Sequence, residues 1–386
     1  MRFTAALLLP ALVSAHGHAK HDAVRRAEIE RLNALPGMTW TAGISDRFRV
    51  KPGNLERMKA AIRHGEIKVV DAKMLGATDI PTEFDSETNW PECAKVIGDI
   101  RDQSNCGCCW AFGAAEAASD RLCIATGGKV AVPLSSQEMC FCAESDGCGG
   151  GFLSLAWSYI GRTGLVTGGQ YKGQGPFGTD SGFCSSFSLP HCHHHGPQGS
   201  DPYPAEGAPG CPSESSPACP TQCDSGAKSP YNDFQKSRYT FTGGQETYEN
   251  AEALQAAIMA HGPVETAFTV YSDFENYVSG IYQKTSSSVL GGHAVRIVGW
   301  GEENGVKYWK VANSWNPYWG EKGYFRIIRG QDECGIESQA MASSASAKWS
   351  GPGVNDKQDV AVTAALDQEF LQVLTGLRRV GGWLVE

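Results

Sequence analysis

Cys109 lies in the run Gln103-Ser-Asn-Cys-Gly-Cys-Cys-Trp110. Directly after it, the Ala-rich stretch Trp110 to Thr126 predicts a helix ended by Gly127-Gly128. A thiol is a weak nucleophile near neutrality, because a free cysteine titrates at about 8.5. A helix N-terminus lowers that value, and so does a nearby imidazolium. Position alone offers Cys109 the first; the second needs a histidine from elsewhere in the fold. A lone cysteine before a helix is usually structural. So is a lone glycine-flanked histidine or a lone strand asparagine. Far downstream, however, come Gly291-Gly292-His293-Ala294 and Val311-Ala312-Asn313-Ser314-Trp315.

Taken in order, the three segments resemble the catalytic segments of the papain family of cysteine peptidases, in which the reactive cysteine directly precedes a tryptophan. The resemblance implies roles. Cys109 would attack a peptide carbonyl and form a thioester. His293 would take the thiol proton and later protonate the leaving amine. Asn313 would hold the imidazole in the right orientation and tautomer. Trp315 would shield that hydrogen bond from water. The Gln103 side chain and the Cys109 backbone N–H would stabilise the oxyanion. No metal or other cofactor is implied.

Elements must hold these residues. Ala294 to Val298, Tyr308 to Ala312 and Tyr324 to Ile328 read as strands separated by glycine turns. A helical half followed by a strand-rich half predicts an α+β protein with two lobes. The resemblance makes this a papain-like fold: a helical left lobe, a β-barrel-like right lobe, and the active-site cleft between them. The 386 residues are 41% hydrophobic and 19% charged, an ordinary globular balance. A formal net charge of −9 and a pI near 5.6 argue against nucleic-acid binding, which needs a basic face. Fourteen cysteines, many in Pro/Gly/Ser-rich sequence, predict disulfides made in an oxidising compartment. Residues 1–15 read as a signal peptide, with apolar Ala5 to Val13 and small residues at Val13-Ser14-Ala15. No later run reaches the ~20 apolar residues of a membrane-spanning helix. The expected product is a monomer of the secretory pathway, in a lysosome or vacuole or outside the cell.

Residues 16–79 contain no cysteine and carry 12 Lys/Arg against 8 Asp/Glu, whereas residues 80–386 carry 20 against 34. A basic segment ahead of an acidic body suits an intramolecular partner. Residues 347–386 form a separate tail, with Gly351-Pro352-Gly353 as a linker and near-helical apolar spacing from Ala361 to Leu377.

Over residues ~39–346 the resemblance narrows to cathepsin B. It rests on Thr39-Trp40-Thr41-Ala42-Gly43, Ile80-Pro-Thr-Glu-Phe-Asp85, Tyr271-Ser-Asp-Phe274 and Gly330-Gln-Asp-Glu-Cys-Gly-Ile-Glu-Ser338. It implies an inhibitory propeptide over 16–79, a peptidase domain over 80–346 and an occluding loop over 184–223. That loop carries His191, His193, His194 and His195. His194 and His195 match the pair that binds a substrate's C-terminal carboxylate, which makes the family a peptidyl-dipeptidase as well as an endopeptidase. A metal site is the rival reading, disfavoured by the short spacing and a bridged Cys192. Gly150, Gly151 and Ala294 match subsite walls.

Two departures stand out. A latch from Asp102 to His194 is available. The second latch needs a loop arginine and an aspartate near Trp319, but 184–223 holds no Arg or Lys and Tyr318 stands at the aspartate position. This predicts a looser loop and relatively more endopeptidase activity. Gln339 replaces a glutamate at the floor of the pocket for the residue two before the scissile bond. A neutral amide pairs poorly with arginine, so hydrophobic residues should be preferred there.

The resemblance pairs Cys93–Cys123, Cys106–Cys148, Cys184–Cys223, Cys192–Cys211 and Cys142–Cys219. Cys334 matches a position usually free. Cys108 and Cys140 form either an extra bridge or two buried thiols. The implied partners are protein and peptide substrates, the chain's own propeptide and cystatin-type inhibitors. The rivals are a catalytically dead binding protein and a pure carboxypeptidase like cathepsin X.

Overall fold

The structure, a computed structural model, describes residues 27, 29–43, 67–71, 79–194 and 201–354. The expected signal peptide, His195 and the apolar stretch from Ala361 to Leu377 lie outside the described residues.

Helix α1 spans Cys109–Ala125, as its alanines dictate. Residues 110–123 are all buried, and small side chains let the rest of the protein pack around it. A Schellman motif closes it. Gly127 (φ +58°) donates to the Ile124 carbonyl at 3.0 Å, and Gly128 (φ +77°) to the Cys123 carbonyl at 2.9 Å. Helices α2 (Ser136–Cys142) and α3 (Leu153–Arg162) complete the helical half, with α4 (Ala251–His261) further on.

The strand-rich half follows. Strands β1 (Trp40–Ala42), β2 (Ile67–Val69) and β3 (Phe84–Asp85) precede α1. After it come β4 (Thr240–Thr242), β5 (Gln245–Tyr248), β6 (Val264–Tyr271), β7 (Tyr277–Tyr282), β8 (Val289–Glu303), β9 (Val306–Ala312), β10 (Tyr324–Ile328), β11 (Ala340–Ser343) and β12 (Lys348–Ser350). The main sheet runs β1-β7-β10-β9-β8-β6-β11-β5-β2, with β3 also on β8. The class is the expected α+β. The right half is an open sheet, however, not a closed barrel: its two edges are covered by β1 and β2, which come from the N-terminal segment.

That segment is pinned by more than backbone pairing. Trp40 is buried against Tyr282, with ring centroids 5.1 Å apart, and donates its indole N–H to the Gln283 carbonyl at 3.0 Å. Gly280 (φ +95°) faces it. A Cβ there would sit 2.5 Å from the Thr39 carbonyl, so only glycine permits the approach.

Among the described residues between Phe183 and Tyr239 there is no strand, as expected of a stapled loop. All five expected disulfides are formed. The extra Cys108–Cys140 bridge is not: both thiols are free and buried. The Cys108 sulfur sits 3.3 Å from that of Cys106, facing the bridge to Cys148. The sulfurs of Cys106, Cys108 and Cys140 lie within 4.8 Å of one another, but Cys106 is spent in its bridge and offers no thiolate to a metal.

The body also extends past residue 346. Strand β12 pairs with β4, buried Trp349 packs on Phe241 at 5.2 Å, and Tyr239 donates to the Pro352 carbonyl at 2.9 Å. Gly351-Pro352-Gly353 is therefore a docked turn rather than a linker. Trp349→Ala is expected to destabilise the protein by about 3 kcal/mol, within the usual range for losing a buried aromatic. A thermal unfolding midpoint unchanged by the substitution would contradict this docking.

Candidate active site

Cys109 is the first residue of α1, where unpaired backbone N–H groups and the helix dipole favour negative charge. The backbone N–H groups of Ala294 and Trp110 favour negative charge on its sulfur. Ala294 lies on β8 next to His293, so helix and strand meet at the thiol. Arg296 of β8 pairs with Ala312 of β9, which brings the next residue, Asn313, alongside His293. Asn313 Oδ1 sits 2.8 Å from His293 Nε2 and also accepts the Ser314 N–H at 2.8 Å. An oxygen acceptor fixes the proton on Nε2 and leaves Nδ1 for the thiol.

Trp315 lies over the imidazole, rings 4.7 Å apart and 21° from parallel, with Trp319 edge-on behind it at 5.0 Å. Gln103 is buried. Its Oε1 accepts the Ser314 hydroxyl at 2.6 Å, and Nε2 donates to the Cys106 carbonyl at 2.9 Å. One amide hydrogen is thus left for a ligand. Burial pushes the Cys109 thiol up to about 12, opposed by the Ala294 N–H. Burial pushes His293 down to about 4, despite the Asn313 hydrogen bond. Each shift is the penalty on a lone charge. A proton moved from sulfur to imidazole would instead leave two opposite charges, whose attraction opposes both penalties.

Gly151 backs onto Trp110, where a Cβ would come within 2.3 Å of the indole, and the Gly150 carbonyl accepts the Ser145 hydroxyl at 2.8 Å. Gln339 is half-buried just past Cys334.

The loop histidine His194 is buried between two carboxylates. Its Nε2 is 2.8 Å from Asp102 Oδ1, and its Nδ1 is 2.6 Å from Glu206 Oε1. Its ring stacks on Trp315 at 6.1 Å. His193 Nδ1 meets Asp201 at 2.8 Å. Asp102 also accepts from the N–H groups of Ser104 and Cys192 and from Asn316 Nδ2. The described part of the loop is therefore tied to the body through His194 and Asp102. Glu206, Asp201, Ser314 and Asn316 were not singled out by the sequence. Nothing in their spacing marks them, although Ser314 and Asn316 flank a motif residue.

Residues 80–344 match the family described as papain family cysteine protease, and the chain belongs to that family. Within it the chain is cathepsin B-like. It is 42% identical to a cathepsin B-like cysteine proteinase of Schistosoma japonicum, over 86% of this chain and 94% of that one. It is also 42% identical to cathepsin B-like cysteine proteinase 6 of Caenorhabditis elegans, over 78% of each. Among solved structures, proCathepsin B S9 from Trypanosoma congolense superposes with a TM-score of 0.61 at 28% identity, covering 82% of this chain and 97% of that one. A digestive procathepsin L 3 of Tenebrio molitor shares the fold at 21% identity and TM-score 0.52, covering 83% of this chain and 88% of that one.

Burial alone would lower the His194 pKa, but Asp102 and Glu206 outweigh it and raise it from 6.5 to about 10. A pKa raised by folding gives stability that is full below 6.5 and lost as pH rises through about 10. Burial alone would raise the Asp102 carboxyl, but His194 outweighs it and holds it below its ordinary 3.8. Its share is present above 3.8 and lost as pH falls through the folded value. Asp102→Asn should therefore depress the unfolding temperature most between about pH 4 and 6.5, with the gap to the wild type narrowing toward pH 10. Calorimetry across that range checks it; a gap independent of pH would contradict the pairing.

Proposed function

We propose that this chain is made as a zymogen and, once released from its N-terminal segment, hydrolyses peptide bonds through a thioester on Cys109. His293 is the base and then the acid, Asn313 orients it, and Gln103 with the Cys109 N–H receives the oxyanion. The observation that carries this reading is the joint placement of three groups. Cys109 opens α1, the backbone N–H of Ala294 favours negative charge on its sulfur, and the neighbouring His293 is fixed through Nε2 by Asn313. A catalytically dead relative would have no use for this arrangement.

The same site supports release of C-terminal dipeptides. His194 is charged over acid and neutral pH and lies beside Trp315 next to the reacting groups, but Asp102 and Glu206 hold both of its nitrogens, so a terminal carboxylate would take the place of Glu206 on Nδ1, together with His195. The long stapled loop favours this over a pure carboxypeptidase. The N-terminal segment, anchored by Trp40 and by strands at both sheet edges, acts as the inhibitor. Gly150, Gly151 and Ala294 line the substrate channel, and Gln339 steers preference toward hydrophobic residues two before the scissile bond. Five disulfides support folding in the secretory pathway, with lysosome, vacuole or exterior as destination. Cystatin-type proteins are the expected inhibitors.

Labelling of the acid-activated enzyme by an epoxysuccinyl inhibitor should fall on Cys109 and vanish in Cys109→Ala. Gln103→Ala should lower kcat by about 10²–10³. Labelling without turnover of any peptide would sink the peptidase reading. A Phe-Arg fluorogenic substrate should be cut faster than Arg-Arg, and Gln339→Glu should raise Arg-Arg cleavage about tenfold, the usual effect of one charge-assisted bond. Equal rates on both substrates would sink the specificity assignment.

A further inference from the structure

Tyr318 stands where an aspartate was expected to meet a loop arginine. The structure places another loop residue against it. Tyr203 meets Tyr318 edge-on, ring centroids 5.9 Å apart at 80°. Tyr203 also meets His191, at 5.0 Å and 78°. His191 in turn tilts against Tyr171 at 6.5 Å. The rings run from the body through the loop and back to the body. The arm that carries Tyr203 is folded onto the histidine segment. Its N–H donates to Asp201 at 3.1 Å, Asp201 holds His193, and the His193 N–H donates to the Pro204 carbonyl at 2.8 Å. Tyr318 remains 47% exposed, and Tyr203 packs on it at the surface of the body.

We propose that Tyr203 and Tyr318, backed by His191 and Tyr171, are the second latch of the loop: an aromatic closure, in place of an ionic one, that sets the balance between dipeptide release and internal cleavage. This rests on the peptidase reading above and on the loop lying beside Trp315 and His293. An ionic latch fails when either partner loses its charge; a ring contact does not. Burial pushes the Tyr203 phenol up to about 12, with Tyr318, Asp102 and Asp201 adding to the rise. Burial pushes His191 down, opposed by Asp102 and Asp99 and aided by His194, so at neutral pH it packs as an uncharged ring. The ratio of the two activities in the native enzyme should therefore change little from acid to neutral pH.

The test uses the acid-activated enzyme and reads two rates. One is dipeptide release from a peptide with a free C-terminal carboxylate. The other is cleavage of an internal bond in a peptide with both ends blocked. Tyr203→Ala and Tyr318→Ala should each lower the ratio of the first to the second about three- to tenfold, the usual reach of an aromatic pair. Internal cleavage should hold or rise. Combining them should cost little more than either alone, since both break one contact. Tyr203→Phe and Tyr318→Phe keep the rings and should keep the ratio. A cystatin, the inhibitor class expected above, should associate faster with the Ala variants if the latched loop narrows the way into the cleft. An unchanged ratio and an unchanged cystatin rate in both would overturn the latch. A fall shared by the Phe variants would overturn ring packing as its cause. If the native enzyme released no dipeptide, the dipeptidase reading would fall by itself, and the cystatin rate would still decide the latch.

Discussion

The site exists only if the first turn of α1 is held against β8, because the thiol is on one and the imidazole on the other. Two buried arginines hold α1 on the sheet beyond that first turn. Arg296 of β8 reaches into α1, pairing with Asp120 and with Glu116 at 3.4 Å, and donates to the Ile97 carbonyl at 3.0 Å. Arg121 of α1 reaches the other way, to the carbonyls of Pro263, Ser343 and Gly262. A buried cation is tolerated only where partners satisfy it, and stripping those partners costs about 3–5 kcal/mol. Each arginine therefore permits one arrangement of helix on sheet. Burial outweighs Arg296 and pushes Glu116 up to about 7 and Asp120 up to about 6, so this cluster takes up protons as the pH falls into the acid range.

With helix and sheet fixed, short local devices finish the geometry. The register of β8 on β9 delivers Asn313 to His293. Ser314, the next residue, spends its hydroxyl on the Gln103 carbonyl oxygen, which settles which end of that amide faces Cys106. The same orientation leaves an N–H for an oxyanion. None of these bonds is strong alone, but each removes a rotamer that would misplace a reacting atom.

Much of this was legible in the sequence. The alanines and the Gly127-Gly128 stop define α1 to within a residue, and the strands around Val295, Trp309 and Phe325 follow from their apolar runs. The three motifs named the polar residues of the site, and likeness to cathepsin B supplied the bridges. What was not legible has physical reasons. Strands β1 and β2 have three residues each, too short to show a period, and their partners lie some 200 residues away. The barrel-like right half is an open sheet with those strands at its two edges. Glu206 and Tyr203 sit in Pro/Gly-rich sequence, where nothing sets a register, so a missing Arg–Asp pair read as a loose loop. Cys108 and Cys140 are the two cysteines that the resemblance leaves without a partner, and only a structure shows both thiols free.

Asp102 and Gln103 are adjacent, and extended backbone sends neighbouring side chains to opposite sides. The pairing of Asp102 with Trp315, and the 2.9 Å bond from the Gln103 N–H to the Ser314 carbonyl, lock both against the segment after Asn313. Asp102 then holds the loop through His194, while Gln103 serves the proposed oxyanion site. Trp315 repeats this division of labour with its ring. Its stacking with His293 shields the bond to Asn313, and its stacking with His194 gives the loop a surface to rest on. A positive charge on His194 is therefore felt across that ring and, after burial, disfavours a lone positive charge on His293. The contact that holds the loop and the proton affinity of the imidazole are thus coupled at this site, because a single indole stacks on both histidines.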